Sequence, residues 1–308
     1  MVEQQLFSII IPTYNRQQQL AACLQALTRL DYPRDSFEVI VVDDGSAVSM
    51  DGVTSSFCPH LSVSLVRQPN AGPATARNTG AANARGRFLA FTDDDCVPAP
   101  DWLRTLATRF ASAPSDAVVG QTLNALPHNL YATTSQFLIS SLFAYHNADP
   151  DQARFLTSNN LAVPTGAFRA LGGFDPTFLF PGGEDWDLCR RWLSQGYRLR
   201  YAPEVVVCHA HPLQLPTFWR QHFHYGRGTF RVRQVNSQAR QGSGVGGRFT
   251  FYRWLLHHLF ARTWGRQTLL LATLLAIAQI ANASGFFWEW RQHSRALANT
   301  QEAENPGK

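Results

Sequence analysis

Residues 87–98 read RFLAFTDDDCVP, and this stretch decides the fold expected for the chain. Its first half, Phe88–Phe91, is short, apolar and rich in residues that favour strands, and Asp93, Asp94 and Asp95 follow. The pattern predicts a buried strand that ends in an acidic loop. Because three adjacent carboxylates repel one another, a bound cation would stabilise such a loop. Mg²⁺ or Mn²⁺ would suit it, since these ions take carboxylate oxygens and substrate phosphates, whereas the alternative is a solvated acidic turn.

Strands alternate with helices on the N-terminal side of this stretch. The predicted strands are 6–11, 37–42, 61–66 and 87–92, and the predicted helices are 17–30 and 72–84. Each strand is short and continuously apolar, which is typical of a parallel sheet covered by helices on both faces. The sequence therefore predicts an α/β fold with a Rossmann-like sheet.

Three polar clusters follow predicted strands of this sheet. They are Thr13–Arg16, Asp43–Ser46 and Asp93–Asp95. Ligands of open α/β sheets bind at the carboxyl ends of the strands, so we expect these clusters to form one site.

The alternation is lost after Pro114. The predicted elements that follow are a helix at 130–145, a helix that begins at Glu184-Asp185, a strand at 204–208 and a basic aromatic helix at 215–235. Two polar motifs accompany them: Ser158-Asn159-Asn160 precedes an apolar strand, and His209-Ala210-His211 follows the strand at 204–208. Glycines at 182 and 183 precede the acidic pair and allow close approach of a substrate. The acidic pair is either a general base or a helix cap.

Composition restricts the class of protein. The chain has 308 residues, of which 45% are hydrophobic and 16% charged, which suits one large domain or a domain with an appendage. Its five cysteines form no CxxC pair, which favours reduced thiols in the cytosol. The N-terminal sequence has no charged region followed by a long apolar run, so no signal peptide is expected.

The positive charge is concentrated in the C-terminal third. Residues 212–308 have twelve basic and three acidic side chains, whereas residues 1–211 have a net charge of −4. The imbalance indicates an anionic partner, either a membrane surface, a diphosphate or a nucleic acid. Leu269–Phe287 has 19 residues without a formal charge, so it could span a membrane, lie on one or pack against the catalytic domain.

Two short motifs match known functional patterns, but the sequence around each of them argues against the corresponding function. Residues 242–247 fit the pattern GxGxxG, but no strand precedes them. Asn282-Ala283-Ser284 fits a glycosylation sequon but lies in an apolar segment. The sequence also contains no P-loop.

Taken together, six segments resemble family 2 glycosyltransferases with a GT-A fold. They are IIIPTYNR (9–16), VIVVDDGS (39–46), NAGPATARNTG (70–80), FTDDDC (91–96), GGFDPTFLFPGGEDWDLCRRW (172–192) and VVVCHAHP (205–212). The resemblance implies a nucleotide-sugar donor, a divalent ion, Mn²⁺ or Mg²⁺, and inversion at the anomeric carbon.

The resemblance also implies roles for individual residues. The nucleotide-sugar would be bound by Pro12, Tyr14, Asn15, Asp44, Arg77 and Asp93, with Asp44 on the base and Arg77 near the diphosphate. The metal ligands would be Asp94, Asp95 and His209, with Asp94 the preferred direct ligand. The catalytic pair would be Glu184 and Asp185, with Asp185 as the base, and the acceptor would contact Trp186 and Asn160.

The resemblance suggests the following division of the chain. Residues 1–212 form the catalytic domain, with a nucleotide-sugar half (1–114) and an acceptor half (115–212). A basic helix (213–240), a Gly-rich linker (241–248), a helical membrane-associated or docking segment (249–295) and a disordered tail (296–308) follow. The acceptor would be a glycan, a lipid or a lipid-linked glycan. We expect a cytoplasmic catalytic domain at the inner face of a membrane and no nucleic-acid partner. The sequence does not indicate an oligomeric state.

Two other functions fit part of the pattern. A sugar-phosphate nucleotidyltransferase also uses a nucleotide-binding sheet and Mg²⁺, but it would not need Glu184 and Asp185 beside an acceptor. A non-catalytic nucleotide- or glycan-binding protein would not need the complete acidic triplet.

Overall fold

The computed structural model of the chain describes residues 6–238, 246–262 and 265–304. The chain divides into two compact units. The first comprises Met1–Leu179 and Glu184–Pro212, and the second comprises Phe180–Gly183 and Leu213–Lys308.

The first unit is built on one mixed sheet of eight strands in the order β3-β2-β1-β4-β7-β6-β8-β5. The strands are β1 (Phe7–Thr13), β2 (Phe37–Asp43), β3 (Val63–Arg67), β4 (Phe88–Thr92), β5 (Cys96–Pro98), β6 (Ala117–Asn124), β7 (Asn160–Pro164) and β8 (Leu199–His209). Strands β3, β2, β1 and β4 are parallel, which confirms the predicted N-terminal half. Strand β7 runs antiparallel to β4 and β6, so the parallel order ends where the predicted alternation ends.

Helices of the first unit cover both faces of this sheet. They are α1 (Gln17–Leu27), α2 (Asp51–Phe57), α3 (Pro73–Asn83), α4 (Trp102–Ser112), α5 (Leu130–His146), α6 (Thr165–Ala170) and α7 (Glu184–Ser194), with single 3-10 turns at Arg34–Ser36 and Pro150–Gln152. Successive strand side chains point to opposite faces, so Ile9 packs with Leu24 of α1 in one apolar layer. Ile10 packs in the other layer with Ala76 of α3. Burial on both faces explains the continuously apolar strands.

Strand β8 begins at Leu199, five residues before the predicted strand. The sequence prediction starts after Pro203 because proline cannot donate to a strand ladder. In the structure the pairing of β6 with β8 shifts register between Gly120 and Gln121, opposite residues 203–205. Pro203 thus lies in a bulge, where its missing N–H costs no ladder hydrogen bond.

Asn160 ties the centre of the sheet together. Its Nδ2 donates to Gln121 O at 3.0 Å and to Val205 O at 2.9 Å, and its Oδ1 accepts from Trp102 Nε1 at 3.0 Å. The residue is 1% exposed, so its polar atoms are used inside the protein. These bonds give Asn160 a structural role, and its expected contact with an acceptor stays a prediction.

The second unit, as far as the structure describes it, consists of α8 (Leu215–Gln238), α9 (Gly246–Arg262) and α10 (Arg266–Glu304). Glycines allow α8 and α10 to approach closely: a Cβ on Gly226 would lie 1.8 Å from Asn282 O, and one on Gly285 would lie 1.9 Å from Phe223 O. Glu289 of α10 forms ion pairs with Arg227 at 2.7 Å and Arg231 at 2.9 Å on α8.

The C-terminal boundaries differ in part from the predicted ones. Residues 241–245 of the predicted linker lie outside the described residues, and residues 246–248 begin α9. The predicted tail starts at 296, whereas α10 continues to Glu304, and residues 305–308 lie outside the described part. From 296 onward the sequence reads ALANTQEAENPGK and lacks the regularly spaced apolar residues from which a helix is predicted.

Asn160→Ala tests the structural role of Asn160. The change leaves two buried carbonyls and one indole N–H without their partner, and each such loss costs about 1–3 kcal/mol. We expect the free energy of unfolding, measured by chemical denaturation, to fall by roughly 2–5 kcal/mol. Asn159→Ala is the control, since Asn159 is half-buried and makes one 3.3 Å bond with Thr122. Equal stability of both variants would contradict the assignment.

Candidate active site

The three polar clusters meet at one edge of the sheet, as predicted. Thr13 Oγ1 donates to Asp94 Oδ2 at 2.8 Å, which joins the end of β1 to the acidic loop after β4. Asp44 N donates to Thr13 O at 2.9 Å, which joins the ends of β2 and β1. The adjacent positions of these three strands in the sheet bring the clusters together.

Asp44 organises the loop that follows β3. Its carboxylate accepts hydrogen bonds from Gln68 Nε2 at 2.7 Å and from the backbone N–H groups of Ala71 and Gly72, both at 2.9 Å. The side chain is buried. These three bonds give Asp44 a structural role in the loop, and its expected contact with a nucleotide base stays a prediction.

The loop after β1 presents an exposed ring. Tyr14 is 48% exposed, and a ring in this position is free to stack on a planar ligand. Asn15 has a φ of 56°, and its Oδ1 accepts from Ala47 N at 2.8 Å. Pro12 is half-buried in β1 below them. Asn15 therefore fixes the backbone that carries the ring of Tyr14.

Each carboxylate of the acidic triplet has different partners. Asp93 pairs with Arg77 Nη2 at 2.7 Å. Asp94 accepts from Thr13 and pairs with Arg16 Nη1 at 3.1 Å. Burial raises the pKa of Asp94 to about 7, although the charge of Arg16 opposes the rise.

Asp95 forms a cluster with two histidines. His209 Nε2 lies 3.1 Å from Asp95 Oδ1, and His211 Nδ1 lies 3.0 Å from Asp95 Oδ2. Burial alone would raise the pKa of Asp95, but the hydrogen bonds from both imidazoles lower it below its usual range. Burial would likewise lower the pKa of His209, but the bond and charge of Asp95 raise it.

The cluster has the donor set of a transition-metal site. One ligand atom from each of Asp95, His209 and His211 lies within 4.8 Å of the others. A carboxylate with two imidazoles suits Mn²⁺ better than Mg²⁺, which prefers oxygen ligands alone. Among the described residues the cluster contains Asp95 and not Asp94, and the preference for Asp94 as the direct ligand stays a prediction.

The metal ligands predicted from the sequence include His209 but not His211. The pairing of β5 with β8 places Cys96 opposite His209, so the end of β8 lies beside Asp95. Side chains at positions i and i+2 of extended chain point to the same side, and the rings of His209 and His211 lie 5.2 Å apart. This spacing was the signal that could have identified the second histidine.

Arg77 of α3 is a buried cation on the opposite side of the triplet. Besides its pair with Asp93, its Nη1 lies 3.7 Å from Glu184 Oε1. Burial would lower its pKa, but the charges of Asp93, Asp185 and Glu184 raise it. Its Nε and Nη1 have no hydrogen-bond acceptor among the described residues, so two buried donors remain for an anionic ligand.

Asp185 opens α7, after Gly182 and Gly183, whose φ angles are 123° and 105°. Its Oδ2 accepts from Ser158 N at 3.2 Å, and its buried Oδ1 has no partner among the described residues. Burial raises the pKa of Asp185, while the charge of Arg77 opposes the rise. An aspartate with one oriented and one unpaired oxygen has the form of a general base.

Trp186 is half-buried beside this carboxylate. Its ring lies 4.6 Å from the ring of Phe155 and 5.1 Å from that of His146. The aromatic group is thus fixed by packing next to Asp185.

Comparison with known proteins identifies the family. The profile described as "Glycosyl transferase family 2" matches residues 8–172, which is more than half of the chain. A second profile, described as "N-terminal domain of galactosyltransferase", matches residues 143–211.

The chain belongs to glycosyl transferase family 2. It is 30% identical over 229 residues to glycosyltransferase AglE of Haloferax volcanii, covering 73% of either chain. It is 32% identical over 226 residues to a pre-mycofactocin glycosyltransferase of Mycobacterium tuberculosis, covering 71% of this chain and 46% of that protein. The chain therefore spans about half the length of that second relative. This glycosyltransferase is an enzyme, as the sequence predicted.

The GT-A fold is also confirmed. The mannosyltransferase PcManGT from Pyrobaculum calidifontis, solved in complex with GDP-Man and Mn²⁺, superimposes with a TM-score of 0.59 at 20% identity. The match covers 98% of this chain and 88% of that one.

Substitutions in the Asp95 cluster test whether it can hold a metal ion. Loss of even an indirect support of a metal site costs about 10–100-fold in affinity, so loss of a ligand should cost at least that. We expect Asp95→Ala and His209→Ala to weaken Mn²⁺ binding at least ~10-fold in calorimetry. His128→Ala, an exposed histidine outside the cluster, should bind as the wild type does. Unchanged affinity in both cluster variants would refute the site.

Proposed function

We propose that this glycosyltransferase moves a sugar from a nucleotide-sugar donor to an acceptor hydroxyl, with inversion at the anomeric carbon, in one metal-assisted displacement. The observation that carries the proposal is the buried, unpaired Oδ1 of Asp185 beside a buried arginine. A direct displacement needs a base for the acceptor and a cationic environment for the leaving group, and it needs no covalent intermediate.

The donor side is formed by the strand ends. Tyr14 stacks on the base, while Pro12 and Asn15 shape the wall beneath it. Asp44 acts indirectly by holding the loop 68–72. Arg77 directs its unused Nε and Nη1 donors toward the diphosphate, and Asp93 keeps the guanidinium in place through its 2.7 Å ion pair.

The metal site of this proposal consists of Asp95, His209 and His211, with Asp94 beside it. These residues would hold Mn²⁺ or Mg²⁺, and such an ion would supply positive charge to stabilise the leaving nucleoside diphosphate. The protein contributes the orientation: Arg16 and the two imidazoles fix the Asp95 carboxylate before any ligand binds.

The acceptor side is formed by the start of α7. Asp185 removes the proton of the acceptor hydroxyl as the oxygen attacks the sugar, and Ser158 N holds the other carboxylate oxygen. Glu184 supports this geometry through Arg77, and Trp186 borders the acceptor. The acceptor is a hydroxyl of a glycan, a lipid or a lipid-linked glycan.

The competing nucleotidyl transfer would break a bond between phosphates. In that reaction Asp185 would have no acceptor hydroxyl to deprotonate. Release of nucleoside diphosphate during turnover favours glycosyl transfer, whereas release of pyrophosphate favours nucleotidyl transfer. A protein that only binds nucleotide would release neither.

Asp185→Asn tests the base. The amide keeps the shape of the side chain but cannot accept the proton, so kcat should fall about 10²-fold or more. Donor binding, measured by calorimetry with nucleotide-sugars and Mn²⁺, should change little. Asp175→Asn removes the same charge from a loop aspartate that bonds Thr177 N, and should retain activity. A kcat for Asp185→Asn above roughly a tenth of the wild-type value would refute this role.

We further propose that the second unit binds an anionic membrane surface. Within the described residues, the helix Arg266–Ala296 is long enough to cross a membrane, and an 18-residue window within it has a mean hydropathy of 1.7. The face of α10 that carries Leu269, Ile280 and Phe287 is exposed, with values of 66, 58 and 59%. The spacing of these residues is helical, so they form one apolar stripe.

Charge and polarity favour a helix that lies on the surface. Exposed Trp288, Trp290, Arg291 and Arg295 continue the helix beyond the stripe, as expected at a boundary between lipid and water. The ion pairs of Glu289 lie on the face toward α8, where a polar group is matched by protein and needs no contact with lipid. Free thiols at all five cysteines agree with a cytoplasmic catalytic unit at the inner face of the membrane.

Vesicle flotation tests the membrane proposal. The full chain should float with vesicles that contain phosphatidylglycerol and less with neutral phosphatidylcholine vesicles. The double variant Ile280→Glu/Phe287→Glu should lose most of this binding because two charges must then enter the interface. Val48→Glu, which alters an exposed apolar residue of the first unit, should float as the wild type does. Flotation of the double variant at the wild-type level would argue for a protein partner on the stripe.

A further inference from the structure

Arg16 lies between two carboxylates of the acidic triplet. Its Nη1 is 3.1 Å from Asp94 Oδ1 and 2.9 Å from Asp95 Oδ2. One guanidinium nitrogen therefore bridges two acids whose mutual repulsion it reduces. The side chain is 40% exposed, so one side of this cation faces solvent.

The contact made by Arg16 overlaps the candidate metal site. The same oxygen, Asp95 Oδ2, accepts from Arg16 and lies 3.0 Å from His211 Nδ1. A divalent cation held by Asp95, His209 and His211 requires the lone pairs of this carboxylate. It would also lie a few ångströms from the guanidinium, where two positive charges repel strongly because the carboxylates are buried.

We infer that Arg16 and the divalent cation compete for Asp94 and Asp95, so that metal binding displaces the Arg16 side chain toward solvent. The inference rests on the metal-assisted function proposed above. It assigns Arg16 a positioning role: the guanidinium holds the two carboxylates apart at fixed distances and is then exchanged for the metal.

Two arginines pair with the acidic triplet, and a comparison with Arg77 shows why the metal ion would displace only Arg16. The Arg77 side chain is 5% exposed and is enclosed by Asp93 and Glu184. Displacing it would leave a buried guanidinium with fewer partners, which is unfavourable. Arg16 can rotate into water and regain its hydration. Arg16 is therefore the arginine of this site that a metal ion can displace.

The first test measures the affinity for Mn²⁺ alone by calorimetry. Arg16→Gln removes the competing cation, so Mn²⁺ should bind roughly 10-fold more tightly than to the wild type. Arg29→Gln is the control because it removes the same charge from an exposed arginine just after α1, the helix that Arg16 precedes. Equal Mn²⁺ affinity in the wild type and in Arg16→Gln would overturn the inference.

A second measurement separates displacement from repulsion at a distance. Phenylglyoxal labels accessible guanidinium groups, and peptide mass spectrometry reports the labelling rate of Arg16 in the wild-type chain. Saturating Mn²⁺ should increase this rate several-fold and leave that of Arg29 unchanged. An Arg16 rate that stays constant or falls would show that the ion pair persists, and would overturn the inference even if Arg16→Gln binds Mn²⁺ more tightly.

Failure of the inference can be distinguished from failure of the proposed function. If the wild type binds Mn²⁺ and transfers sugar while Arg16→Gln behaves identically, only the competition is wrong. If the wild type binds no Mn²⁺, both the competition and the metal-assisted step are wrong.

Discussion

The concentration of negative charge after β4 is the constraint on which the rest of the site depends. Three consecutive carboxylates at the edge of a buried sheet are unfavourable unless each has its own compensating groups. The structure provides them: Arg77 for Asp93, Thr13 for Asp94, two histidines for Asp95, and Arg16 shared between Asp94 and Asp95. These compensating residues come from distant parts of the chain, so neutralising one loop determines the positions of several others.

That requirement explains the C-terminal half of the sheet. A purely parallel continuation would leave the end of β8 far from Asp95, whereas the antiparallel pairing of β5 with β8 places Cys96 opposite His209. Asn160 then fixes β6 and the bulge of β8 through Gln121 and Val205, so the strand that carries the histidines cannot shift. The core of this enzyme thus positions polar groups through ordinary hydrogen bonds made far from the reacting atoms.

Sequence patterns predicted what depends on local order. Short apolar strands, such as Phe88–Phe91, and the polar clusters at their ends were sufficient for the N-terminal half and for the convergence of three loops. Sequence patterns could not predict which of the three carboxylates joins the candidate metal cluster. That cluster combines Asp95 with two histidines that lie more than a hundred residues away in the chain. The hydrogen bonds of Asp44 and Asn160 to the protein could not be predicted for a similar reason. A polar residue at a strand end looks the same in sequence whether its partners are a ligand or the protein's own backbone.

Whether a buried polar side chain has its hydrogen-bond partners distinguishes structural residues from candidate functional residues more clearly than residue type does. The side chain of Asn160 is buried and has its partners in the protein, so it stabilises the fold. Arg77 is also buried and Asp185 is half-buried, yet each keeps buried polar atoms without a hydrogen-bond partner among the described residues. Such atoms cost about 1–3 kcal/mol each, and a fold has no structural reason to retain several of them at one place. A ligand that supplies an anion to Arg77 and a hydroxyl to Asp185 recovers this cost. In the proposed function, the groups that weaken the free protein are therefore those that would bind the donor and the acceptor.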